Sequence, residues 1–145
     1  RPSPDGTMVA YVHWPDDDRN RRDIRIVDLE SGATRLLVGA PKSKDWFPRW
    51  SPDGKWIAFL SQRTDYNQVW VIRPDGTDLR QVTDLGTNVE EFSWSPDGTR
   101  LAFIAARPMP KTEHGCGGEM PSDLWTTSSE GAKPELLDKK RRGGR

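Results

Sequence analysis

Trp50-Ser51-Pro52-Asp53-Gly54-Lys55-Trp56-Ile57-Ala58-Phe59-Leu60 decides the fold, because much of this stretch occurs three times in the chain. Ser-Pro-Asp-Gly stands at Ser3-Pro4-Asp5-Gly6, Ser51-Pro52-Asp53-Gly54 and Ser95-Pro96-Asp97-Gly98, at spacings of 48 and 44 residues. The three copies continue as Thr-Met-Val-Ala-Tyr-Val (7–12), Lys-Trp-Ile-Ala-Phe-Leu (55–60) and Thr-Arg-Leu-Ala-Phe-Ile (99–104). An internal period in this range marks a repeat architecture.

The tetrapeptide suits a type I turn, with proline presetting φ and glycine taking the left-handed position that follows. Such a turn reverses a hairpin. Beyond it, large residues fall on one strand face (Val9/Tyr11, Ile57/Phe59, Leu101/Phe103). The other face holds alanine (Ala10, Ala58, Ala102), then Val12, Leu60 or Ile104. A strand apolar on both faces is an inner strand covered on both sides. The small alanine implies close approach by a neighbouring layer.

Outward from there, Ile24–Val27, Val69–Ile72 and Leu124–Thr127 read as the next strand. Glycine turns follow at Gly32, Gly76 and Gly131, then outer strands end near Leu37, Val82 and Leu137. Trp46–Trp50 and Val89–Trp94 read as the first strands of the second and third units. No stretch carries the apolar period of an amphipathic helix. The expected fold is all-β: a partial β-propeller of three four-stranded antiparallel blades, the first lacking its innermost strand. The boundaries are residues 1–45, 46–88 and 89–138, with a basic tail over 139–145. A β-sandwich with coincidental turns is the competing architecture, and the equal spacing within three units favours the propeller.

Connections between second and third strands differ most. Blade 2 links quickly from Ser61 to Asn67, blade 1 carries a charged loop from His13 to Arg22, and blade 3 carries the longest, Ala105 to Ser122. Long loops on a rigid scaffold are the usual carriers of recognition.

Charged residues make up 30% of the chain and formal net charge is zero, which argues against nucleic acid or an anionic membrane as a partner chosen by bulk charge. No apolar run is long enough to span a bilayer, and no signal peptide is visible. A start at Arg1 suggests loss of an upstream segment. The expected compartment is the cytoplasm, or the periplasm if that segment was a signal. The lone Cys116 rules out an internal disulfide. Most of the seven tryptophans fall on repeat positions, as packing rather than a ligand cage.

These residues resemble a known family. Trp-Ser-Pro-Asp-Gly before an Ile-Ala-Phe-like strand is similar to the PD40 (WD40-like) repeat of TolB-type propellers and of the propeller domain of prolyl-oligopeptidase-family serine peptidases. Residues 1–6 with Val9–Val12 and Asp23–Leu29 resemble the opening of an acylaminoacyl-peptidase- or dipeptidyl-peptidase-like propeller. Pro48–Ser61 and Thr83–Gly98 resemble its next two blades. The resemblance implies a propeller that caps a separate α/β-hydrolase domain, restricts entry to short peptides and touches the substrate only indirectly. Catalysis would belong to the other domain, on a Gly-x-Ser-x-Gly elbow with Asp and His downstream. No such motif occurs here, and the two histidines, His13 and His114, fall in expected loops. No triad residue can be carried over.

Other signals have plainer readings. Glu90-Glu91 resembles the acidic pair with which dipeptidyl peptidases grip a substrate amine, but it falls in an expected strand, where adjacent side chains face opposite ways, and lacks the family's helical context. Asp16-Asp17-Asp18 lacks the ligand spacing of a calcium loop and reads as a solvated turn. His114-Gly115-Cys116 offers too few ligands for zinc. Lys139-Lys140-Arg141-Arg142 reads as a soluble tail rather than a polyanion signal.

No cofactor or metal is expected. Two function classes remain open: the propeller segment of a serine peptidase, whose partners are missing blades and a hydrolase domain, or a TolB-like scaffold that binds proteins. Open sheet edges favour self-association.

Overall fold

The computed structural model describes residues 1–106, 122–128 and 135–136. Eleven strands lie in these residues: β1 (Met8–His13), β2 (Asp23–Asp28), β3 (Thr34–Val38), β4 (Asp45–Trp50), β5 (Ile57–Ser61), β6 (Gln68–Ile72), β7 (Arg80–Gln81), β8 (Val89–Trp94), β9 (Arg100–Ala106), β10 (Ser122–Ser128) and β11 (Glu135–Leu136). There is no helix among the described residues. Each sheet is a meander in chain order: β1-β2-β3, β4-β5-β6-β7 and β8-β9-β10-β11. All pairings between neighbouring strands are antiparallel.

The three sheets are the three expected blades. Blade 1 has three strands, and residues 1–3 run along its inner edge through a bridge between Pro2 and Val9 and the bonds from Ala10 N–H to the Arg1 carbonyl and from Ser3 N–H to the Met8 carbonyl, both at 2.8 Å. Of the long third loop, only Ala105, Ala106 and Ser122 are described. Gly131, His114, Cys116 and the tail over 139–145 lie outside the described residues.

The turns form as the sequence predicts. Ser3, Ser51 and Ser95 each accept a backbone bond from the glycine three residues on, at 2.9 Å, and those glycines have φ of 72–73°. The left-handed region is costly for any residue with a Cβ, so glycine ends each turn.

Two cores separate the blades. Ala10, Ile24 and Ile26 of blade 1 pack with Ile57, Phe59 and Ile72 of blade 2. Ala58, Leu60, Val69 and Val71 of blade 2 pack with Leu101, Phe103 and Ala105 of blade 3. The alanine face of each blade therefore receives the large-residue face of the next. Blade 2 is covered on both sides, and every residue of β5 is buried. In β9 burial alternates along the strand, because among the described residues blade 3 packs on one side only.

The tryptophan before the turn ties neighbouring blades at their inner edge. Trp50 Nε1 donates to the Arg1 carbonyl at 2.9 Å, and Trp94 Nε1 donates to the Arg49 carbonyl at 3.1 Å. Both acceptors stand two residues before a turn serine, so this is one contact made twice.

Candidate functional site

The twelve turn residues build a clasp. In each turn the serine hydroxyl donates to the aspartate Oδ1 at 2.6 Å. The same oxygen accepts the backbone N–H two residues on at 3.0 Å. The serine Oγ in turn accepts the N–H of Met8, Trp56 or Arg100 at 2.9–3.0 Å. These bonds favour the carboxylate form. The serine hydroxyl foremost holds Asp5 and Asp53 below the ordinary carboxylate range and brings Asp97 down to about 2. One carboxylate oxygen, Oδ1, takes all of these bonds from its own turn, and Ser51 is buried. This geometry stabilises a hairpin rather than binding a ligand.

Chemistry gathers instead at the inner strands of blades 2 and 3. Phe47 has φ +61°, a left-handed conformation rare for a bulky residue. It lies where β4 bulges against β5, between Trp46 and Arg49. Its ring sits edge-on to Phe92 of blade 3 at 5.4 Å, with the Arg49 guanidinium 3.6 Å from its centroid. Arg49 also donates to the Pro48 carbonyl at 2.9 Å. Burial lowers its pKa, nearby Arg1 adds to that, and Glu91 opposes it.

Glu90 and Glu91 lie on the inner strand of blade 3, and both are exposed. The strict alternation expected there does not hold. β8 bulges between Val89 and Glu91, which places an extra residue opposite β9 and interrupts the period of two. The pair thus lies on bulged inner-strand backbone beside Arg49, not on a helix.

A second polar cluster lies between blades 1 and 2, at the end away from the turns. Asp45, fully buried, accepts from Ser61 Oγ at 2.5 Å and from Arg63 Nη2 at 2.8 Å. Asp23, also buried, pairs with Arg21 at 2.8 Å. Backbone bonds from Arg22 to Ser43 and from Asp45 to Arg22 join the blades here. Beside them is an open hollow of about 610 Å³ lined by Asp18, Asn20, Lys42, Lys44, Gln62 and Thr64. Its mixed charges suit a zwitterionic or polar chain segment. Asp18 is occupied locally, accepting the Asn20 N–H at 2.9 Å. Among the described residues no group of three or more His, Cys, Asp or Glu side chains is placed to hold a metal ion. No helix among them is long and apolar enough to cross a membrane.

Reading the sequence missed Phe47 and the Asp45–Ser61–Arg63 cluster. The first depends on backbone geometry. The second has no counterpart in blade 3, where Val89 and Ala105 hold the corresponding positions. The pre-turn Trp50 and Trp94 did carry a signal, their shared position.

Comparison with known proteins now decides the family. Residues 1–109 match the model of the TolB beta propeller domain, PD40. The chain belongs to the TolB-type propeller family. It is 37% identical over 104 residues to the uncharacterized peptidase YuxL of Bacillus subtilis (strain 168), covering 68% of this chain and 16% of the relative. It is 32% identical over 111 residues to dipeptidyl-peptidase 5 of Porphyromonas endodontalis, covering 74% and 16%. A solved TolB-like structure from Agrobacterium tumefaciens superposes with TM-score 0.74 at 27% identity, covering 94% of this chain and 47% of that one. The chain thus spans about a sixth of the length of these peptidase relatives. It is a propeller domain of the kind that peptidase-family proteins and TolB share.

Proposed function

We propose that this chain is the non-catalytic propeller segment of a prolyl-oligopeptidase-family serine peptidase, gating peptide access and offering a docking surface to an α/β-hydrolase domain. The observation that carries the reading is its similarity to YuxL and dipeptidyl-peptidase 5, at 37% and 32% identity, over a small fraction of either relative. The absence of a Gly-x-Ser-x-Gly motif from the sequence agrees with it. In this reading the peptide meets the propeller through the inner strands and the polar hollow, and Glu90 and Glu91 offer carboxylates to a substrate amine.

The test joins genetics to assay. The expected coding sequence downstream holds Gly-x-Ser-x-Gly followed by Asp and His, and the chain alone leaves dipeptide and acyl-amino-acid chromogenic substrates intact. Turnover by the pure chain would overturn the reading. A stop codon directly after Arg145 would favour the alternative, a TolB-like scaffold for protein–protein contact, which the family match over residues 1–109 supports.

A further inference from the structure

Blade 2 carries a charged cluster toward its outer strand that neither the turns nor the proposed function uses. Trp56 precedes β5, and its backbone N–H donates to Ser51 Oγ at 2.9 Å. Its indole is half-buried and packs against the core between blades 2 and 3, which fixes the ring. Arg73 follows β6, with its backbone N–H on the Thr77 carbonyl at 2.9 Å, and Arg80 opens β7 opposite Val71. The Arg73 guanidinium lies 4.4 Å from the centroid of the Trp56 ring, and the Arg80 guanidinium 4.5 Å from it. Two cations thus share one aromatic platform. They line an open hollow of about 340 Å³ together with Asp78 and Leu79. Every one of these residues belongs to blade 2, which has a neighbour on either side.

Charge in the cluster does not balance. Asp78 Oδ2 accepts from Arg73 Nε at 2.7 Å. Asp75 is engaged by its own turn, accepting the Thr77 N–H at 2.9 Å and the Thr77 hydroxyl at 2.6 Å. Among the described residues Arg80 has no ion pair, and its buried Nε has no hydrogen-bond partner. A guanidinium keeps its proton in a protein, so only an acceptor can offset it. The other blades answer this position differently. Counted along the repeat, blade 1 has Met8, Asp28 and Arg35 in place of Trp56, Arg73 and Arg80, and blade 3 has Arg100, Ser128 and Glu135. Arg35 donates to the Pro74 carbonyl, and Arg100 lies 3.7 Å from Glu135. Stacking on the indole explains where the two arginines sit; it leaves one positive charge uncompensated.

We propose that Trp56, Arg73 and Arg80 form a binding site for a single oxyanion, a carboxylate or phosphate group, on blade 2. Guanidinium is the side chain best matched to either group, through planar paired donors. The Trp56 ring holds both arginines in place beforehand, which lowers the ordering cost of binding. Arg73 is 41% exposed, so the anion reaches it from solvent. Leu79, 39% exposed, gives the hollow an apolar wall for whatever carries the anion. The site does not rest on the peptidase reading.

The indole N–H resonance of Trp56, assigned by its loss in Trp56→Phe, tests the site in the full chain. Sodium phosphate and sodium acetate are titrated separately, each against sodium chloride at the same ionic strength. The expected result is a saturable shift with phosphate or acetate and none with chloride. Saturation at lower phosphate concentration assigns a phosphate group; saturation at lower acetate concentration assigns an acidic side chain. Arg80→Gln should weaken binding about tenfold or more, through loss of a charged donor. Asp78→Asn should strengthen it, because the competing carboxylate is gone, and it keeps the test open if Arg80→Gln fails to fold. Melting curves show which variants fold. No saturable shift with either anion, an equal shift with chloride, or an affinity indifferent to the substitutions would overturn the proposal.

Discussion

At the scale of single residues, the four turn positions divide the work. Proline fixes φ, serine closes the loop in both directions, aspartate collects the N–H groups, and glycine takes the left-handed backbone. Gly98→Ala should therefore destabilise the chain by about 1–2 kcal/mol from backbone strain. The cost should exceed that of Gly6→Ala, because the new Cβ at 98 also meets Pro52 at 3.4 Å. Urea unfolding of the two variants side by side measures the difference. Asp97 sets a pH response. Its folded pKa is lowered to about 2, from 3.8, by the Ser95 hydroxyl and then the Thr99 N–H. A depressed carboxylate contributes stability above the unfolded value and loses it as pH falls through the folded one. Melting temperature should drop between about pH 4 and pH 2, and less steeply in Asp97→Asn. Equal slopes in the two proteins would refute this assignment.

At the scale of elements, what the repeat dictates was legible, and what departs from it was not. Strand order, turn positions and the outer strands follow from residues that recur, so three copies corroborate one another. The Asp45–Arg63 pair recurs nowhere, so no spacing pointed to it. Glu90-Glu91 looked like regular strand because a bulge leaves the pattern of residue types unaltered. Phe47 gave no hint of its φ of +61°. The unrepeated features are where blades gain individual character, which makes them informative about mechanism. Arg63→Ala should cost about 3–5 kcal/mol, because it leaves the Asp45 carboxylate buried without its cation. Asp45→Asn in the same background should recover part of the loss. Trp94→Phe tests the tie between blades. It removes the bond to the Arg49 carbonyl while keeping most of the ring, so about 1 kcal/mol should be lost in denaturant titration.

At the scale of the whole molecule, stability should be graded across the array rather than uniform. Among the described residues, only blade 2 is covered on both faces: β5 is buried throughout and β6 at four of its five positions. β1 is buried only at Ala10, and β9 alternates. Local opening is easiest where few apolar contacts are broken. Amides of residues 57–61 and 68–72 should therefore exchange most slowly with deuterium, and those of 8–13 faster. Core truncation should follow the same gradient. Phe59→Ala should cost about 3–5 kcal/mol, and Tyr11→Ala less, because Tyr11 is half-buried where Phe59 is fully buried. Equal protection of β1 and β5 would refute the gradient.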